Sequence, residues 1–147
     1  MTRLVFIGLF LLLIFSACQK NIDSNAVNGS WKLTEVVDKT TNTVTLAPIG
    51  SNMSIVITFL STNKFAGHTL RNILTDGTYD QKGDEILFKN FSMTKIGEDQ
   101  WGQSFLAVLN ACSLQSVTPC FPSRISIQGN LLKITTPLRY DIILEKL

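Results

Sequence analysis

Short runs of β-branched and aromatic residues, cut by turn residues at close intervals, recur from Gly29 to Leu147. A chain punctuated this often must satisfy its backbone between strands, so the pattern predicts a mostly antiparallel sheet. The strongest run is Ser54-Ile55-Val56-Ile57-Thr58-Phe59-Leu60, dense in residues that fit a pleated surface. Ahead of it, Trp31-Lys32-Leu33-Thr34-Glu35-Val36 roughly alternates apolar with polar, as a half-buried strand does. Thr40 to Thr43 reads as a turn and Val44 to Ala47 as a short second strand. After it, Ser61-Thr62-Asn63 turns into Lys64-Phe65-Ala66-Gly67. Asp76-Gly77 reads as a turn before Thr78-Tyr79-Asp80, and Lys82-Gly83-Asp84 as another before a strand over Glu85 to Phe91. Arg124 to Gln128 alternates cleanly, Gly129-Asn130 is a two-residue hairpin turn, Leu131 to Thr135 returns, and Tyr140 to Glu145 makes a last strand.

One segment changes period. Trp101, Phe105, Val108, Leu109 and Cys112 share one face of a helix, and Glu98 and Asp99 near its start suit the helix dipole. The expected fold is therefore α+β, mostly β: a curled antiparallel sheet or small barrel-like meander of about eight strands with one helix. A sheet that size tends to close, which removes its edges.

The N-terminus carries a different signal. Arg3 precedes an uncharged apolar run from Leu4 to Ala17, 14 residues long, and a spanning helix needs about 20. The run reads as a secretory signal, with Ser16 and Ala17 as the small residues beside a cut. Phe15-Ser16-Ala17-Cys18 reads as a lipobox, which makes Cys18 the lipid-bearing first residue of the mature chain. An ordinary secretory signal cut after Ala17 is the alternative. Resemblance to bacterial lipoproteins implies acyl chains on Cys18, enough to hold a small domain on a membrane. The organisation expected is a signal peptide over 1–17, a lipidated cysteine and flexible tether over 18–28, and a β-rich domain over 29–147. The expected location is the bacterial cell envelope, lipid-anchored, at the outer membrane.

Removing 17 of 147 residues leaves 130, enough for one domain with one core. The net charge of +2 falls to +1 with the loss of Arg3, so no charge bias argues for nucleic acid, and none is expected as a partner. Two cysteines remain, Cys112 and Cys120. In an oxidising compartment they are disulfide candidates, with two free buried thiols as the alternative. Metal binding is not expected, because His68 is the single histidine and no second Cys or His pair stands at zinc-ligand spacing.

The catalytic signals are weak. His68 lies in a turn-like Ala66-Gly67-His68-Thr69, and no Gly-x-Ser-x-Gly elbow surrounds any serine. Asp76, Asp80, Asp84 and Glu85 lack the spacing of a calcium loop and read as a solvated surface. Trp31, Tyr79 and Trp101 read as core before they read as a ligand pocket. No phosphate-cradling glycine loop is present, and no cofactor is expected.

The order of elements resembles the META domain of small heat-shock-associated bacterial lipoproteins. The resemblance runs through Trp31-Lys32-Leu33, Ile57-Thr58-Phe59, Gly67, Gly77-Thr78-Tyr79, Phe91-Ser92-Met93-Thr94, the helix with Phe105-Leu106, and Gly129-Asn130-Leu131. Gly67-His68-Thr69 and Met93-Thr94-Lys95 stand where that family often has cysteines. The resemblance implies a barrel-like sheet, an envelope location and no established enzymatic activity. A lipocalin-like lipoprotein shares much of the same pattern. The function expected is a noncatalytic envelope protein with an envelope-stress or protein-interaction role; the alternative is a lipocalin-like carrier holding a small apolar ligand inside the sheet.

Overall fold

The first strand does not keep its alternation to the end. The computed structural model describes Asp23 and residues 26–49 and 54–147, so Cys18 and the apolar run before it lie outside the described residues. In it, β1 (Gly29–Asp38) buries Trp31, Leu33 and Val36. Strict alternation from Leu33 would turn Val36 outward. The register against the last strand shifts between Leu33 and Glu35, and this bulge returns Val36 to the inner face. The bulge also divides β1. Its first half pairs with β3 (Val56–Leu60) and its second half with β2 (Thr43–Leu46).

From β3 the chain runs up and down through β4 (Lys64–His68), β5 (Ile73–Lys82) and β6 (Glu85–Phe88). A short β7 (Ser92–Met93) pairs with the first part of β5. Then come α1 (Gln100–Leu109), β8 (Ser123–Gln128), β9 (Leu131–Thr135) and β10 (Tyr140–Lys146). β10 pairs with β1 from Trp31↔Lys146 to Asp38↔Tyr140. That pairing closes eight antiparallel strands into a barrel, with β2 and β7 as appended pieces. The barrel with one helix is the fold that the strand spacing predicts.

One predicted turn is not a turn. β5 runs straight through Asp76-Gly77. Phe65 pairs with Gly77 while Gly67 pairs with Leu74, so the extra residues bulge within the strand, with Asp76 at φ 55°. A Cβ on Gly77 would stand 2.6 Å from the Phe65 ring and carbonyl. The glycine is there to let that ring lie against backbone. Lys82-Gly83 and Gly129-Asn130 do turn as predicted, each glycine at φ 61°.

The helix ends at Leu109, earlier than the predicted face reaching Cys112. The Asp99 side chain caps its start by accepting from the Gly102 N–H, and Asn110 closes it. Cys112 and Cys120 are joined in a disulfide, Cα atoms 5.3 Å apart, in the connection from α1 to β8. Gln115 braces that connection, donating to the Ala111 and Phe121 carbonyls and accepting from the Phe121 N–H.

The barrel has two unlike ends. At one end lie the turns 61–63, 83–84 and 129–130, the start of β1 and the end of β10. Rings fill this half: Phe59 meets Tyr79 edge-on at 5.3 Å, and Phe65 meets Phe88 edge-on at 5.5 Å. Trp31 donates its ring N–H to the Val27 carbonyl, 2.6 Å away, and Val27 is fully buried. The fold thus reaches two residues into what the sequence reads as tether. Trp31 and Tyr79 are core, as expected. At the other end α1 packs against β10 and β1. Among the described residues no helix is long and apolar enough to cross a membrane.

Candidate functional site: a groove at the barrel mouth

Cross-strand pairing assembles the site. Val36 stands opposite Thr45, and Asp38 opposite Thr43 on one side and Tyr140 on the other. Residues paired directly across strands share a face, so these side chains project toward the concave side, where α1 begins. Gln100, Trp101 and Ser104 approach from the first turn of the helix. Between the two walls lies a groove of about 330 Å³. Val36, Trp101 and Tyr140 form its apolar surface; Asp38, Thr43, Thr45, Gln100 and Ser104 supply polar groups.

Most of that polarity is already engaged. Arg139 donates through Nε and Nη2 to Oδ2 of Asp38, at 2.9 and 2.5 Å. This pairing, helped by the Thr40 N–H, holds the Asp38 carboxyl down at about 2. The same guanidinium lies 4.9 Å over the Tyr140 ring. Beside it, Lys39 bridges buried Asp141 at 3.1 Å. Asp99 is committed to the Gly102 N–H at 2.8 Å, and the Ser104 hydroxyl donates to the Gln100 carbonyl at 2.9 Å. Ser104 is therefore turned to its own helix. What faces the groove is a set of threonine hydroxyls, an amide and two aromatic surfaces, with Asp38 ionised and neutralised. Such a lining suits hydrogen-bonded docking.

A buried polar clamp sets where the helix starts. Asn72 donates to the Ile96 carbonyl and to Glu98, and its Oδ1 accepts from the Ile96 N–H and the Thr94 hydroxyl. The Thr69 hydroxyl also donates to Glu98. The β4–β5 connection thereby grips the segment ahead of α1, and Glu98 belongs to this clamp.

The groove is flanked by an incomplete sheet. Among the described residues β2 pairs with β1 alone, and all four of its residues are exposed. Its outer edge carries backbone donors and acceptors that no described strand takes up.

Of the residues singled out in the sequence, Trp101 and Asp99 line the groove, Asp99 also capping the helix start, where Glu98 is held. His68 is exposed at the end of β4, with Nδ1 3.2 Å from the Thr69 carbonyl, outside the groove. The acidic stretch forms surface ion pairs, Asp80 with Lys89 and Asp84 with Arg124. Among the described residues no three His, Cys, Asp or Glu side chains gather as a metal site. Sequence reading passed over Asp38, Thr43, Thr45, Arg139 and Tyr140. Thr43-x-Thr45 repeats at strand period, which was a signal, but Asp38 and Arg139 stand 101 positions apart and meet only through barrel closure.

No family model matches the chain, and no curated protein matches it. Two solved structures resemble it. One is a protein from Burkholderia xenovorans, solved by NMR: TM-score 0.58, 18% identity, covering 82% of this chain and 83% of that one. The other is a DUF4847 family protein from Bacteroides vulgatus: TM-score 0.54, 14% identity, covering 81% of this chain and 92% of that one. At these identities the likeness is one of fold.

Proposed function

We propose that this chain is a noncatalytic, lipid-anchored protein of the bacterial envelope whose barrel mouth binds an extended segment of another envelope protein. The observation that carries the reading is the free edge of β2 beside the groove. An incoming strand can complete the β2 ladder through its backbone while its side chains enter the groove. The polar groups already tied to the protein's own backbone leave a preformed surface, which lowers the entropy lost on binding. The META-like order of elements is part of the same reading, as is the anchor on Cys18.

A photo-crosslinking residue at Thr45, in living cells, should give a discrete protein adduct. The same residue at Ser126, on the outer face of β8, should not. Equal adducts at both positions, or none at Thr45, would defeat the reading. Metabolic labelling with a fatty-acid analogue tests the anchor: a Cys18→Ala variant that labels like wild type removes it.

A small apolar ligand is the second reading, favoured by Trp101 in the groove wall. The groove volume lies near the lower bound of roughly 300 Å³ for ligand pockets. Because the rings of Phe59, Phe65, Tyr79 and Phe88 are packed together, such a ligand would sit at the mouth, not deep in the barrel. Delipidation and extraction should then shift Trp101 fluorescence; an unchanged spectrum argues for the protein segment.

A further inference from the structure

The closed end of the barrel has a chemistry of its own. β9, β10, β1 and β3 reach it side by side, and the chain enters at β1, inside that sector. Leu60 at the end of β3, Leu131 at the start of β9 and Leu147 after β10 are 45%, 43% and 70% exposed. Leu60 and Leu131 each follow or precede a buried residue, Phe59 and Leu132, and so point away from the core. The Leu147 N–H donates to the Ser30 carbonyl at 3.0 Å, which fixes the third leucine beside the start of β1.

Lysines surround these leucines. Lys64 pairs with Leu60 across the β3–β4 hairpin. Lys133 lies two residues beyond Leu131 on the same face, and Lys146 sits 5.3 Å over the Trp31 ring. The acids nearby are Glu145, which accepts from Asn130, and Asp23 in the lead-in to β1. Three lysines against two acids leave this sector basic, whereas Asp38 and Asp99 line the opposite mouth.

We propose that this sector is the face the domain lays on a phospholipid bilayer, with the leucines in the interfacial layer and the lysines on headgroup phosphates. The proposal rests on the anchor reading above. Eight residues lie between Cys18 and Val27, so the two are at most about 32 Å apart when the chain is fully extended. A lipid on Cys18 therefore keeps the closed end near the membrane and turns the groove away from it.

The test uses the mature lipidated chain in vesicles, with one fluorophore at Ser61→Cys, in a closed-end turn, or at Thr41→Cys, in the β1–β2 turn. On phosphatidylethanolamine–phosphatidylglycerol vesicles, a headgroup-level nitroxide lipid should quench the Ser61 probe several-fold more than the Thr41 probe. Each surface lysine is worth roughly fivefold in occupancy. A Lys64→Gln/Lys133→Gln variant should therefore bring the two probes together, as should vesicles of phosphatidylcholine alone. Equal quenching of the two probes overturns the proposal, and so does a difference indifferent to lysines and lipid charge. Mass spectrometry that finds no lipid on Cys18 defeats the anchor reading separately. The sector is then read from flotation of the same chain with anionic vesicles: flotation that the lysine replacements abolish supports it, and no flotation overturns it.

Discussion

The two ends of the barrel are made from the same strands by different means. At the closed end, turns of two or three residues join β3 to β4, β5 to β6 and β8 to β9. Strands drawn together that tightly leave room only for side chains, and the rings of Phe59, Phe65, Tyr79 and Phe88 fill it with Trp31 and Val27. At the mouth the connections between successive barrel strands have four or more residues. There the bulge in β1, the appended β2 and the helix start hold two walls apart, and polar groups line the gap. Rigidity and recognition are thus segregated: packed aromatics hold the barrel, and longer connections shape the surface that can accept a partner.

The largest test of that contrast is truncation at each end. Phe59→Ala should lower stability by about 3–5 kcal/mol in urea titrations, because its site is enclosed on all sides. Trp101→Ala, whose ring already borders the groove, should cost about half as much. A Trp101 loss equal to the Phe59 loss breaks the comparison. Next is the disulfide on the mouth side. Its closed loop is short, and reduction should remove about 2–3 kcal/mol in the chain-entropy model. Hydrogen exchange should then rise first over residues 110–122 and leave β3 protected; simultaneous exchange of both would show that the ends are not separable.

Gly77→Ala should destabilise by about 1–3 kcal/mol through its clash with Phe65. Gly83→Ala meets open space but keeps a positive φ, at a cost of about 1–2 kcal/mol. The sharper readout is local: Phe65 ring resonances should move in the first variant and stay put in the second. The smallest effect concerns Asp38. Its folded pKa, about 2, lies below the ordinary value of 3.8. Its contribution is therefore present above pH 3.8 and lost as pH falls toward 2, and solvent screening keeps it modest. Arg139→Met should return the carboxyl titration, followed by NMR, toward 3.8; an unchanged midpoint would mean that Arg139 is not the cause.

Several elements were legible because local chemistry suffices for them. Alternation marks β8 to β10, Gly129-Asn130 can hardly do anything but turn, and the buried face of α1 is the one its period predicts. Asp76-Gly77 was misread because the same dipeptide serves a turn and a bulge: both need φ above zero at the aspartate or glycine. What decides is whether a long partner strand continues past it, and that is a tertiary fact. The groove was less legible still. Trp101 stood out, but Thr43, Thr45 and Tyr140 look like ordinary solvent-facing positions until β2 and β10 both align on β1.

By itself the sequence determined where most strands begin, most of the tight turns, the presence of the helix, the pairing partner available to Cys112 and the apolar character of the N-terminal run. Each follows from periodicity, turn chemistry or composition over a few residues. Only the tertiary structure decided that β10 meets β1, that a bulge turns Val36 inward, and that one end is sealed by rings while the other stays open. Those outcomes depend on contacts between positions as far apart as Asp38 and Arg139, and no local pattern encodes which distant strand supplies the missing hydrogen bonds.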